Sequence, residues 1–292
     1  MSEDEVLTSP TVFRRQLGRE LRALREHAGY TIEAAANKME ISRAKYGRIE
    51  HGMVPVRSLD VKQMCEIFGA SGKLTEALMT VARKTREKGW WHSFRNVMPE
   101  TFDMYLGLET AAKEIRWYES ELVPGLLQTE DYACTVMRAH APDAEEAVIE
   151  HRAALRMKRQ RLLNRVDPPP LEVAVVLNEG ILRRPIGSQE VMAGQLIQLN
   201  KLGRLPHVSI RVVPFSAGLH LGVVSRSFEI LRFLDATEPT TIYMDSFVGD
   251  VYLERNDEVA RYEAAFTDIL AHALDEKASR DLIARAAEEY MP

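Results

Sequence analysis

Cysteine is scarce in this chain. Its two residues, Cys65 and Cys134, lie far apart in apolar helical contexts, which excludes a disulfide framework and leaves too few thiols for a zinc site. Both read as core. Long apolar runs are missing too. The longest, such as Val173 to Leu177, fall far short of the ~18 residues that span a bilayer. The opening MSEDEVLTSP is acidic where a signal peptide is basic and then greasy, so the expectation is a cytoplasmic protein with no membrane partner. The eight histidines show no HxxxH, HExxH or Cys-His spacing, so no metal site is expected. No GxSxG elbow, phosphate-binding GxxxxGK loop or GxGxxG turn occurs, and neither enzymatic activity nor a cofactor is expected.

What is present is ordinary in bulk and uneven in placement. At 292 residues, with 46% hydrophobic and 28% charged residues, the chain is long enough for two folded domains. The net charge is −5, which taken alone argues against nucleic acid. The distribution reverses that. From Thr11 to Lys88 there are 16 Lys and Arg against 9 Asp and Glu, or +7; the other residues carry 22 against 34, or −12. A basic head on an acidic remainder is the asymmetry of a nucleic-acid-binding unit joined to a body that should not bind it. The boundary is expected near residue 89, giving domains at 11–88 and 89–292.

Phe13, Leu17, Leu21, Leu24 and Ala28 recur at steps of four, four, three and four, the stripe of an amphipathic helix, with Arg15, Arg19 and Arg22 off it. Gly29 ends that helix. Thr31 is placed to cap a short second helix with Ala34, Ala35 and Ala36 inside, small residues that permit a close crossing. Ser42 caps a third helix, with Ile41 and Tyr46 set to form a hydrophobic staple and Gly52 closing it. Ser58 opens a fourth helix bearing Leu59, Met64, Cys65 and Phe68, and Lys73 to Lys88 reads as a fifth. Short helices joined by tight turns, the second and third meeting through alanines, form a helix-turn-helix. On the third helix Tyr46 and Ile49 face inward. That leaves Arg43, Ala44, Lys45, Gly47 and Arg48 outward with the capping Thr31 and Ser42, and these seven are the candidate contacts to double-stranded DNA. Long cations there pair with guanine O6 and N7 or grip phosphate.

The stretch from Leu21 to Gly69, read through LRALREHAGYTIEAAANKMEISRAKYGRIEHG, resembles the Cro/C1-type (xenobiotic-response-element type) helix-turn-helix domains of bacterial repressors. The resemblance rests on the LRxLRexaG entry, the Ile41-Ser42 start of the third helix and the Arg48-Ile49-Glu50-x-Gly52 finish. Ile32, Glu40 and Gly47 stand where that family often has Gln, Gly and Ser.

Beyond Lys88 the adjacent Trp90 and Trp91 read as a packing anchor between domains. The pattern is helical from about 105 to 165, and the arginine-rich run from His151 to Arg165 reads as a solvated helix face. Pro168-Pro169-Pro170 ends helix formation. After it, Glu172 to Asn178, Val208 to Val213, Ser225 to Phe233 and Thr240 to Asp245 read as strands. Helices are expected at about Ser188 to Leu202, Asn256 to Ala273 and Asp275 to Glu289. The fold class is a mainly α N-terminal helix-turn-helix bundle followed by an α+β C-terminal domain, mixed over 171–290. Four blocks of the body, Tyr118-Glu119 through Thr129, Glu179 through Gly187, Val213 through Gly218 and Tyr252 through Arg255, resemble the C-terminal domain of the actinobacterial WhiJ-like, or Scr1-type antitoxin-like, transcriptional regulators. The resemblance implies a DNA-binding regulator paired with a small protein encoded by an adjacent gene.

Two clusters remain. Ser216, Gly218, His220 and Gly222 read as a glycine-rich turn between strands. Glu179 with Arg183 and Arg184 reads either as an internal ion pair fixing the following Pro-Ile-Gly turn or as an anion or peptide-terminus pocket, and is the candidate ligand or partner site. The expected function is that of a sequence-specific transcriptional regulator, homodimeric on a two-fold operator, whose body binds a small cognate protein. The alternative is a body that senses a small molecule.

Overall fold

The computed structural model describes residues 9–99, 101–245 and 249–291. The chain divides into two compact units, one holding the N-terminal residues to Ser93 with Phe102–Ala111 and Asp235–Glu238, the other holding the rest.

The first unit is helical: α1 (Pro10–His27), α2 (Ile32–Lys38), α3 (Arg43–Glu50), α4 (Ser58–Phe68), α5 (Gly72–Lys84) and α6 (Phe102–Ala111). Hydroxyl caps start three of these helices, two of them at the expected Thr31 and Ser42 and the third at Ser71, ahead of a helix expected from Lys73. Thr31, Ser42 and Ser71 accept hydrogen bonds from the amides of Ala34, Lys45 and Leu74, each satisfying one of the four donors a helix start leaves open. The core gathers Leu17, Leu21, Ala35, Ala36, Tyr46, Ile49, Val61, Met64, Cys65 and Phe68. Leu59, expected among the apolar residues of this helix, is 71% exposed; the buried stripe is Val61, Met64, Cys65 and Phe68 at i, i+3, i+4 and i+7, and Leu59, five positions before Met64, falls off it. Arg15, expected outside, is buried against Glu238 at 2.7 Å, and Arg19 meets the same carboxylate at 2.7 Å. Trp90 and Trp91 serve α6: their indole N–H groups donate to Thr110 and Asp103, at 3.1 and 2.8 Å. Arg14 also reaches Asp103. A boundary at residue 89 therefore cuts through this unit.

The second unit is built on a six-stranded sheet of order β3-β2-β1-β4-β5-β6. Along the chain run β1 (Ala112–Glu119), α7 (Glu130–His140), α8 (Glu146–Arg159), β2 (Glu172–Asn178), α9 (Gly180–Arg183), α10 (Gln189–Leu202), β3 (Val208–Val213) and α11 (Leu221–Ser225). Then come β4 (Phe228–Phe233), β5 (Thr241–Met244), β6 (Val251–Leu253), α12 (Asn256–His272) and α13 (Glu276–Glu289). β1, β2 and β3 are parallel; β4, β5 and β6 continue antiparallel. On one face Tyr118, Val176, Val213, Phe228, Ile230 and Ile242 pack under Ala265, Phe266 and Ile269 of α12. The β3 edge is closed by Ser279, which accepts the Val212 amide at 3.0 Å, and by the Leu274 amide, which donates to the Val212 carbonyl at 2.9 Å, so no open ladder remains at that strand position.

Two expectations for this unit are corrected. The segment 105–165, read as helical, contains the central strand β1, whose Ile115, Trp117 and Tyr118 are buried; β-branched and aromatic residues flanked by strands on both sides are held by the sheet rather than by local preference. The arginine run is also not a solvated face. Arg159 and Arg165 are buried, and Arg152 and Arg165 donate to the backbone carbonyls of Val97, Pro169 and Ala112, while Arg156 holds Gln128. They satisfy loop carbonyls that would otherwise be buried without donors.

Candidate nucleic-acid interface

The α2–turn–α3 segment is set by three local devices. α2 ends at Lys38 with Met39 as its C-terminal cap residue, and the chain reverses with the amide of Glu40 on the Asn37 carbonyl and that of Ile41 on the Ala36 carbonyl, at 3.1 and 3.0 Å. Glu40 carries this turn at φ 53°, the left-handed conformation that glycine adopts freely and a side chain resists, which explains why glycine is common at this position in the domains it resembles. Ala35 and Ala36 are fully buried and let α2 lie close on α3. Gly18 does the same for α1, since a Cβ there would stand 2.4 Å from the Glu50 carbonyl oxygen.

The far end of α3 is fixed by charge. Arg25 of α1 grips Glu50 through two nitrogens, Nε to Oε1 at 2.6 Å and Nη2 to Oε2 at 2.9 Å, and gives a third hydrogen bond to the Tyr30 carbonyl at 2.8 Å. Both partners are buried, and the hydrogen bond to Glu50 raises the Arg25 pKa further above its usual value. A forked guanidinium on a carboxylate is directional, so the pair sets the angle of α3 as well as its position. Burial likewise raises the Tyr46 hydroxyl pKa.

With Tyr46 and Ile49 inward, Arg43, Ala44, Lys45 and Arg48 are exposed and Gly47 is half-buried with open space above its Cα. Thr31 and Ser42 sit exposed at the two helix starts with their oxygens engaged as caps. All seven candidate residues thus lie on one α2–α3 segment. Among the described residues several cations of the head carry no ion pair, those of α2–α3 and also Lys73, Arg83, Arg86 and Lys88, while others are paired. In the head, Arg14, Arg15, Arg19, Arg22, Arg25, Arg57 and Lys62 are paired with carboxylates. Among the described residues no ion pair engages Lys38, Arg43, Lys45 or Arg48, which keep their charge for an outside partner. The residues that sequence reasoning missed are Arg25 and Glu50. Glu50 was visible within the Arg48 to Gly52 motif, but nothing local marks an arginine 25 positions away as its partner.

The second cluster is arranged differently. Glu179 meets Arg183 at 3.3 Å, Arg183 also reaches Glu289, and Arg184 turns away to Glu121. Glu179 Oε2 further accepts the Phe215 amide at 2.9 Å. Each guanidinium is engaged by a carboxylate of this chain, and the two arginines do not converge on a common space.

These features define a helix-turn-helix protein, and a family model described as a helix-turn-helix domain matches residues 16–78. A second model, described as a domain of unknown function (DUF5753), matches residues 102–285. That span is more than half of the chain, and the protein belongs to this family. No curated protein and no solved structure matches the chain. Among the described residues no helix is long and apolar enough to cross a membrane, and no cluster of His, Cys, Asp or Glu is grouped to hold a metal ion.

Proposed function

We propose that the protein is a cytoplasmic, sequence-specific DNA-binding transcriptional regulator without enzymatic activity. It would bind as a homodimer to a two-fold operator with α3 as the reading helix in the major groove. The observation that carries this reading is the row of unpaired, exposed cations Arg43, Lys45 and Arg48 on a helix whose two ends are fixed, one by the Ser42 cap and one by the Arg25–Glu50 pair. A held helix with free long cations is what base-edge and phosphate contacts need. The actinobacterial and antitoxin-like assignment, with a small protein from an adjacent gene as partner of the C-terminal domain, rests on the resemblance of the four sequence blocks. Sensing of a small molecule is the second reading, favoured by an open polar cleft of about 770 Å³ lined by Glu172, Arg204, His207, Ser209, Glu276 and Arg280.

The test is alanine at Arg43, Lys45 and Arg48, singly and together, with fluorescence anisotropy on genomic promoter fragments and scrambled DNA at several salt concentrations. A cation that reads guanine should cost roughly 1 to 3 kcal/mol and relax preference at one base pair. A phosphate contact should weaken every sequence alike and reduce the log-log salt slope by about one unit. A triple variant with unchanged folding and unchanged affinity would remove α3 as the reader.

A further inference from the structure

The segment after β3 exposes more apolar surface than any other stretch of comparable length among the described residues. Phe215, Leu219, Leu221, Val223 and Val224 are 63, 78, 45, 59 and 74% exposed. Five large apolar side chains within ten positions present on the order of 500 Å², the size of patch that on soluble proteins marks a binding surface.

This surface is held rigidly from beneath. Glu179 accepts the Phe215 amide, and Arg183 in turn holds Glu179. Asp268 of α12 accepts the Leu221 amide at 2.8 Å. His220, between two exposed leucines, is itself buried, accepts the Gly222 amide on Nδ1 at 3.1 Å and meets the Tyr118 ring edge-on at 6.0 Å. Gly222 lies so close to that ring that a Cβ would stand 2.5 Å from it. The ordering cost of a loop that must fold on binding is therefore already met, which favours association.

Its charge selects the occupant. From Phe215 to Ser225 there is no Lys, Arg, Asp or Glu, whereas residues 89–292 as a whole carry 31 Asp and Glu against 22 Lys and Arg. Two copies of an acidic body repel wherever their charged surfaces face, and approach most easily through an uncharged face; a basic partner would be drawn to the acidic surface instead. An isologous contact places the same patch on both sides, and about 500 Å² per copy is over half of the ~800 Å² that each partner buries in a standard stable interface.

We propose that the Phe215–Val224 surface is the contact between two copies of this chain, joining its C-terminal domains about a two-fold axis. The inference deepens the homodimeric regulator proposed above, yet it is measured without DNA, so its failure leaves the reading of α3 untouched and the reverse holds too. Light scattering of the full chain at tens of micromolar should give twice the 33.1 kDa chain mass. Leu219→Asp with Val224→Asp should return it to the single-chain mass with unchanged circular dichroism, while Ile197→Asp, at an exposed apolar position on α10, should remain dimeric. Should the double aspartate variant not fold, Leu219→Ser with Val224→Ser should raise the dimer dissociation constant at least tenfold. A monomeric wild type at that concentration, or a dimer that survives these substitutions, would overturn the proposal, including the case where the patch binds an unrelated protein.

Discussion

Arg25 and Glu50 show how much of the candidate interface depends on side chains that never touch a partner. The pair is buried, forked and shared with the Tyr30 carbonyl, so truncating either member strands the other charge away from water. Arg25→Ala or Glu50→Ala should each cost about 3 to 5 kcal/mol, whereas Arg25→Met with Glu50→Leu should recover most of that loss, because an apolar replacement leaves no orphaned charge. Thermal unfolding of the four proteins in the cycle checks the coupling. Recovered stability without recovered DNA affinity would show that the pair orients α3; equal recovery of both would make it a stability element alone.

At the scale of elements, β1 carries a titratable group in an unfavourable place. Burial pushes the Glu119 carboxyl up to about 7 from its ordinary 4.5, with the Asp245 charge adding to the shift while hydrogen bonds from Ser227 and the Trp117 indole oppose it. Asp250 is raised as well, mainly by burial. A carboxyl whose pKa is higher folded than unfolded binds its proton more tightly in the native state. Its favourable contribution is thus complete below about pH 4.5 and is lost as pH rises toward 7. From Glu119 the loss should be at most about 3 kcal/mol. Urea unfolding at about pH 5 and about pH 8 should show a clear decline for the wild type and a shallower one for Glu119→Gln. Parallel pH dependences in the two proteins would mean that Glu119 is not the group responsible. The same strand explains a gap in sequence reading: Ala112 to Glu119 carries charges at 113, 114, 116 and 119, which breaks the two-residue alternation of a strand, and only pairing with β2 on one side and β4 on the other makes it the centre of a sheet.

Across the whole molecule, the helix-turn-helix unit takes a residue from more than two hundred positions downstream. Glu238 is fully buried between Arg15 and Arg19 of α1, at the end of the Asp235–Glu238 turn. Glu238→Ala would leave the buried Arg15 without its carboxylate, and the helical unit should lose about 3 kcal/mol. Hydrogen exchange should then show α1 amides opening more readily while β2 and β3 amides keep their protection. Unchanged exchange in α1 would demote the contact to a surface pairing of little energetic weight.

The sequence by itself determined the helix-turn-helix, its caps and its outward cations, and also β2, β3 and the last two helices. Thr31, Ser42 and Asp275 cap through an amide three residues on, and the apolar stripes repeat every three or four residues, so the information lies within one turn of the chain. Tertiary structure alone decided that Arg15 is buried, that Arg152, Arg156 and Arg165 brace loops and that β1 is a central strand. In each case the chemistry of the residue permits both outcomes. An arginine is stable in solvent and is accommodated inside once a carboxylate or carbonyl arrives, and apart from the Pro169 carbonyl four positions from Arg165 the acceptors come from segments 28 to 223 positions away, a separation that no local pattern encodes.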